Sequence, residues 1–199
     1  MGYKCTNIDG IRISTGNTKL GILPNISLSP CAACRKDAPC KKQCYAIKAY
    51  RQYKEVRRAW SANLRIARKS HPRYFRAIRT YLAKYRPSFF RWHVAGDILD
   101  QPYLAKMKSI AREFPAIRFL AFTKMHELSY RQIPENLTIV FSMWPSWGNT
   151  RKHMPRAWFQ DGTENRVPDN ALRCPGHCEG CGLCWALPEL GRDVVFNKH

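Results

Sequence analysis

Acidic residues are scarce in this chain: 14 Asp and Glu stand against 34 Lys and Arg, a net charge of +20 over 199 residues. Such a surplus costs self-repulsion unless a polyanion relieves it, which makes nucleic acid, DNA or RNA, the expected partner. Long apolar runs are also missing, which excludes a membrane-spanning helix. No polybasic tail flanks an apolar anchor, so no membrane partner is expected. The opening Met1-Gly2-Tyr3-Lys4 begins no apolar stretch of the secretory kind. Without an oxidising compartment a disulfide framework is not expected; the cysteines are read as reduced, in a cytoplasm. There is no P-loop, no H-E-x-x-H, no Ser-His-Asp signature and no internal repeat. Those absences remove the familiar nucleotide-hydrolysing, zinc-protease and serine-hydrolase readings.

Cysteine is what the chain has. Eight of the nine fall into two groups of four, and only Cys5 is left over. Cys31, Cys34, Cys40 and Cys44 read C-x2-C-x5-C-x3-C; Cys174, Cys178, Cys181 and Cys184 read C-x3-C-x2-C-x2-C. Four thiolates on a short loop can converge on one tetrahedral ion or one cubane cluster. Structural zinc usually draws two C-x2-C pairs from separated knuckles. The compact C-terminal run suits a cubane better, so a 4Fe-4S iron–sulfur cluster is the expected cofactor and zinc the alternative. Spacing leaves open whether each loop holds its own centre or both share one.

The charge is local. Residues 35–91 contain eighteen Lys or Arg and two acids, a net of +16. From Cys44 to about Lys69, Tyr45, Ala49, Tyr53, Val56, Trp60, Leu64 and Ala67 recur at helical steps. The opposite face carries Lys48, Arg51, Arg57, Arg58, Arg65, Arg68 and Lys69. Pro72 suits the first turn of a second helix, ending near Arg86, which adds Arg73, Arg76 and Arg79. These basic residues are the candidate nucleic-acid contact; a solvated, solubilising surface is the plainer reading. Aromatics at this spacing are read mainly as core, with stacking on unpaired bases as the alternative.

Beyond residue 88 the texture changes. Phe89–Ala95, Ile117–Phe122, Leu137–Phe141 and Val194–Phe196 read as strands, Pro102–Phe114 as a helix, and Lys19–Leu28 as an extended entry to the first cysteine loop. Ser146–Asn170 reads as a long loop. The expected fold is one α/β domain over 1–199 with a mostly parallel sheet, open or an incomplete (β/α) barrel. It carries a basic helical insertion at 45–86 and two cysteine-rich loops. Asp97, Lys124 and Ser142, with His199, follow strand ends, where α/β folds place their sites. The first three are the candidate catalytic residues of a pocket for a small-molecule ligand. His93 is read as a satisfied core histidine.

Leu28-Ser-Pro-Cys31, Cys40-x3-Cys44-Tyr45-Ala46, Val94-Ala-Gly-Asp97, Phe119-Leu-Ala-Phe-Thr-Lys124, Cys181-Gly-Leu-Cys184-Trp185 and Val195-Phe196-x2-His199 follow the order of motifs in the phage "gene product 88" family, which the chain resembles. The resemblance implies a viral or prophage origin, hence a host cytoplasm, and a cysteine-coordinated centre. It supports Asp97 and Lys124 as site residues without giving a reaction. A looser resemblance is to the radical S-adenosylmethionine fold. There the cluster loop follows the first strand of a partial barrel. Here Cys40-x3-Cys44-x2 arrives at Ile47, the C-x3-C-x2-C stands at the other end of the chain, and the usual Gly-Gly-Glu is absent. Three functional classes remain: an iron–sulfur protein associating with nucleic acid, an iron–sulfur enzyme of radical or redox type, and a zinc-stabilised structural or host-interaction protein.

Overall fold

Two short runs of alternating residues, Cys5–Ile8 (β1) and Ile11–Ser14 (β2), are separated by Asp9-Gly10 and pair antiparallel. Both turn residues have positive φ, 52° and 85°, the left-handed geometry that matches a tight hairpin to the twist of its strands. The hairpin leads the computed structural model, which describes residues 4–144, 154–160 and 167–197. Next come β3 (Asn25–Ile26), α1 (Tyr45–Gln52), α2 (Lys54–Lys69), α3 (His71–Tyr85), β4 (Phe89–Trp92), α4 (Gln101–Glu113), β5 (Arg118–Thr123), β6 (Leu137–Ser142), β7 (Arg156–Gln160), β8 (Leu172–Arg173), α5 (Leu187–Leu190) and β9 (Val194–Asn197).

The strands of the described residues form one sheet in the order β1-β2-β3-β4-β5-β6-β7-β9-β8. It is parallel from β3 to β8 and antiparallel where β1 pairs with β2 and β2 with β3. The protein is therefore α/β with a mostly parallel sheet. From β3 to β7 the spatial order follows the chain order, as in a barrel wall, while β1 and β8 stand at opposite edges.

Alternation divides the sheet into two faces. Phe90, Trp92, Phe119, Ala121, Ile139 and Phe141 point to one side, packing with Leu64, Tyr74, Phe75, Ile78, Leu104 and Met107 of α2, α3 and α4. Side chains of this size contribute roughly 1.5–3 kcal/mol each when fully buried. Leu120 and Val140 point to the other side, where Trp185, Leu187 and the C-terminal cysteine loop cover them. Residues 45–86, read as an insertion, run between β3 and β4. The side chain of buried Asn63 accepts from Arg12 N (2.8 Å) and donates to Arg12 O (2.9 Å) and Ser27 O (3.0 Å), tying α2 to the sheet.

Several expectations need correction. The continuous helix expected from Cys44 to Lys69 is two helices, because Tyr53 is extended (φ −108°, ψ 110°). The strand expected to reach Ala95 stops at Trp92, because His93 turns left-handed at φ 51°. In the stretch 19–28, read as a short strand or extended segment, Asn25–Ile26 is the strand. The expected loop 146–170 contains β7, whose Trp158 is buried in the core. His93 is buried but only half satisfied: Nε2 lies 2.9 Å from Tyr103 Oη, while Nδ1 has no partner. The second helix holds as read, with Ser70 Oγ accepting from Arg73 N (3.3 Å) and Pro72 in its first turn.

Candidate metal centres and the strand-end pocket

At the C-terminal end of β4 the chain makes a tight passage. Gly96 has φ 85°, and a Cβ there would stand 2.7 Å from Leu28 Cβ, so a side chain would push β3 and β4 apart. This places Asp97 at the end of β5, buried. Thr123 Oγ1 donates to its Oδ1 (2.7 Å), as does Ile98 N (2.8 Å), and Lys124 N donates to Oδ2 (2.9 Å). Burial raises the Asp97 pKa, against the pull of Lys124 and those donors. For half-buried Lys124, burial disfavours the charge, but Asp97 outweighs it with help from Cys40, Tyr45 and Cys34, and the pKa rises. Asp97 and Lys124 therefore stand together at the strand ends. Ser142 follows Phe141, the register partner of Thr123, so it sits beside Lys124 in the next strand. Its carbonyl accepts from His126 Nε2 (3.0 Å), and no hydrogen bond joins it to Asp97 or Lys124. His199 lies outside the described residues.

The first cysteine group sits over this pair. Burial raises the Cys34 thiol to about 11, with Asp97 adding to the effect. Cys40 rises through burial, opposed by Lys124 and aided by Cys44 and Asp97. Cys31 rises through burial and through Cys44, to which its thiol is hydrogen-bonded. The second group lies on the opposite face of the sheet, where Cys174, Cys178 and Cys184 pack against the cluster of Leu120, Val140, Ala157 and Trp185. All four of its cysteines border a cavity of about 20 Å³. Burial raises Cys184 to about 12 and also raises Cys178; Arg91 opposes both shifts. The sulfur neighbours acting on each thiol come from its own group, which favours two separate nests over one shared centre.

Among the described residues no three His, Cys, Asp or Glu side chains stand close enough together to hold a metal ion as they are. The donor chemistry nevertheless fits one. Each nest offers four sulfurs, the set that suits zinc or iron–sulfur. Burial holds Cys31, Cys34, Cys40, Cys178 and Cys184 toward the neutral thiol, and metal binding would release those protons. The C-terminal cavity is about the size of a single water.

Arg91 was not legible as functional in the sequence. It projects from β4 toward the second nest, with its guanidinium 4.9 Å from the centre of the Phe122 ring and Nη1 4.0 Å from Cys178 Sγ. Its buried Nε has no partner. It acts electrostatically on Cys178 and Cys184 and also on Tyr45, beside the first nest. Alternation along β4 gives the face it occupies; nothing local says which loop covers that face.

On the helices, Lys48, Arg51, Arg57, Arg58, Arg65, Arg68, Lys69, Arg73 and Arg76 are exposed and Arg79 is half-buried. Half are engaged within the chain. Arg58 pairs with Glu55 (2.8 Å) and Arg79 with Glu113 (2.5 Å), while Arg57, Arg68 and Arg73 donate to the carbonyls of Arg51, Ala32 and Asp9. Lys48, Arg51, Arg65, Lys69 and Arg76 make no such contact among the described residues. The helical aromatics divide likewise: Trp60, Tyr74, Phe75 and Tyr81 are buried, and Tyr45, Tyr53 and Tyr85 are exposed.

Fold and sites together define an α/β protein with one four-cysteine nest at the strand ends and another on the sheet face. The family model described as Gene product 88 matches residues 6–187, and the chain belongs to this phage family. No curated protein and no solved structure matches it. No helix among the described residues is long and apolar enough to cross a membrane.

Proposed function

We propose that this phage protein carries cysteine-ligated iron–sulfur, 4Fe-4S in at least the C-terminal nest, and associates with nucleic acid through α1, α2 and α3 in the host cytoplasm. The observation that supports it best is the sorting of eight cysteines into two nests whose members act on one another. Cys31, Cys34, Cys40 and Cys44 would hold one centre; Cys174, Cys178, Cys181 and Cys184 would hold the other. When bound, such a cluster supplies electron transfer or an open iron. The chain's own residues exclude water with Trp185 and Leu187 at the second nest and present Lys124 to Cys34 and Cys40 at the first. Anaerobic purification followed by iron, sulfide and zinc analysis is the test. Absorption near roughly 400 nm with iron and sulfide supports iron–sulfur. A colourless protein with stoichiometric zinc replaces it with the zinc-stabilised reading.

The enzyme reading draws on a separate observation. Asp97, buried with a raised pKa, meets Lys124 beneath the first nest, at the strand ends where parallel α/β sheets bind ligands. In that reading the pair holds and orients a polar ligand next to the centre, with Ser142 alongside.

A further inference from the structure

A second concavity borders the first nest at Cys34 and extends away from it. It is a cleft of about 720 Å³ where the first cysteine loop meets the α2–α3 turn, walled also by the segments after β4 and β5. That is the volume of a typical small-ligand site. Its lining combines two chemistries: apolar side chains from Ile98, Leu99, Met125 and Pro72, and cations from Lys36, Arg68 and Lys69.

The acids in the cleft are already engaged. Asp100 caps α4 by accepting from Tyr103 N (2.8 Å) and lies 3.8 Å from His71 Nε2, and Glu127 pairs with Arg35 (2.9 Å). Lys36 and Lys69 make no side-chain contact among the described residues. Arg68 donates to the Ala32 carbonyl through one Nη, leaving its other N–H groups available. The cleft therefore holds cations without intramolecular acids to match them, together with apolar lining residues. Few ligands need both: a charged oxyanion at one end and a flat, weakly polar body at the other.

We propose that this cleft binds a nucleoside phosphate, the phosphate on Lys36, Arg68 and Lys69 and the base against Ile98, Leu99 and Met125. The nucleotide is either free or an unstacked residue of a bound strand. The site stands on its own lining, which takes Arg68 and Lys69 from the last turn of α2, and does not require a filled cysteine nest.

The test uses the full chain at low salt, with adenosine monophosphate titrated by calorimetry and inorganic phosphate and a single-stranded oligonucleotide as competitors. Wild type is expected to bind adenosine monophosphate saturably and more tightly than phosphate alone. Lys36→Ala with Lys69→Ala is expected to weaken binding roughly tenfold or more, as for the loss of a charge-assisted hydrogen bond. Lys106→Ala, exposed on α4 and outside the cleft, is expected to leave it unchanged. Competition by the oligonucleotide assigns the nucleotide to a strand; absence of competition assigns it to the free pool, and either supports the site. No saturable binding to wild type overturns the proposal, as does equal affinity in the folded double variant. A variant of Arg57, Arg58 and Arg65, none of which lines the cleft, tests the helical nucleic-acid face separately.

Discussion

The N-terminal nest rests on strand ends beside Asp97 and Lys124, and its Cys34 forms part of the wall of the large cleft. The C-terminal nest lies flat on the sheet, packed on Leu120, Val140 and Trp185 around a cavity of about 20 Å³. One set of thiols meets charged groups and the large cleft; the other meets apolar side chains, with Arg91 and Lys19 near Cys178. Thiolate-ligated centres divide along the same line: closed sites hold a fold together, and sites with an approach do chemistry. On the proposed reading the same residue type would be given two different tasks by what surrounds it.

The largest effect expected from breaking this contrast is at the closed nest. Cys178→Ser with Cys181→Ser should remove that nest's metal and lower stability by about 4 kcal/mol or more, as loss of a structural metal does. That is roughly 10 °C in Tm for a chain of this length. Cys31→Ser with Cys34→Ser should remove the other nest's metal with less than half that fall. Metal analysis and thermal unfolding of both variants, side by side, check the pair; equal falls would erase the distinction.

Asp97→Asn sharpens the comparison from the open side. The amide keeps the shape but cannot accept all the bonds that Thr123 Oγ1, Ile98 N and Lys124 N now donate. A loss of about 1–3 kcal/mol follows from the unsatisfied buried groups. Denaturant unfolding should show it, with metal content lowered at the first nest and unchanged at the second.

Acid should act on the strand-end region through His93. Burial lowers its pKa from 6.5 to about 3, so between those values the unfolded chain binds a proton that the folded chain refuses. Stability therefore falls as pH falls through that window, by up to about 1.4 kcal/mol per pH unit. Asp97, with its pKa raised, titrates with the opposite sign. The measurement is accordingly the difference between wild type and His93→Gln, whose stability should change less with pH there.

The smallest effect concerns the basic face. Changing Arg57, Arg58 and Arg65 to Ala should leave metal content at both nests intact and weaken nucleic-acid binding at low salt. Each lost phosphate contact should make the slope of log K against log salt shallower by roughly 0.7 (single strand) to 0.9 (duplex). Salt titrations of wild type and variant give the comparison; unchanged slopes would move the contact elsewhere.

What could be read in advance follows from the range of each signal. The cysteine groups and the strands ending at Thr123 and Ser142 are written in short, local patterns. The β1–β2 hairpin went unread although Asp9-Gly10 between alternating residues is a turn signal, because its strands are short. The break at Tyr53 was not readable, because no proline or glycine marks it. β7 was hidden because Arg156–Gln160 sits in a polar, proline-rich stretch and gains its place by pairing with β6 and β9. The partnership of Asp97 with Thr123 joins residues 26 apart, and that of Arg91 with Cys178 residues 87 apart. Such distances are set by the sheet, not by spacing.

The chain-order arrangement of β3 to β7 has a consequence during synthesis. The helical side of the sheet can be largely covered once β6 has emerged, because α2, α3 and α4 precede it. Leu120 and Val140, on the other side, must wait for Trp185 and Leu187, more than forty residues beyond β6. The growing chain therefore carries a bare apolar face until its last cysteines leave the ribosome, and the loop that holds them is the final lid on the fold.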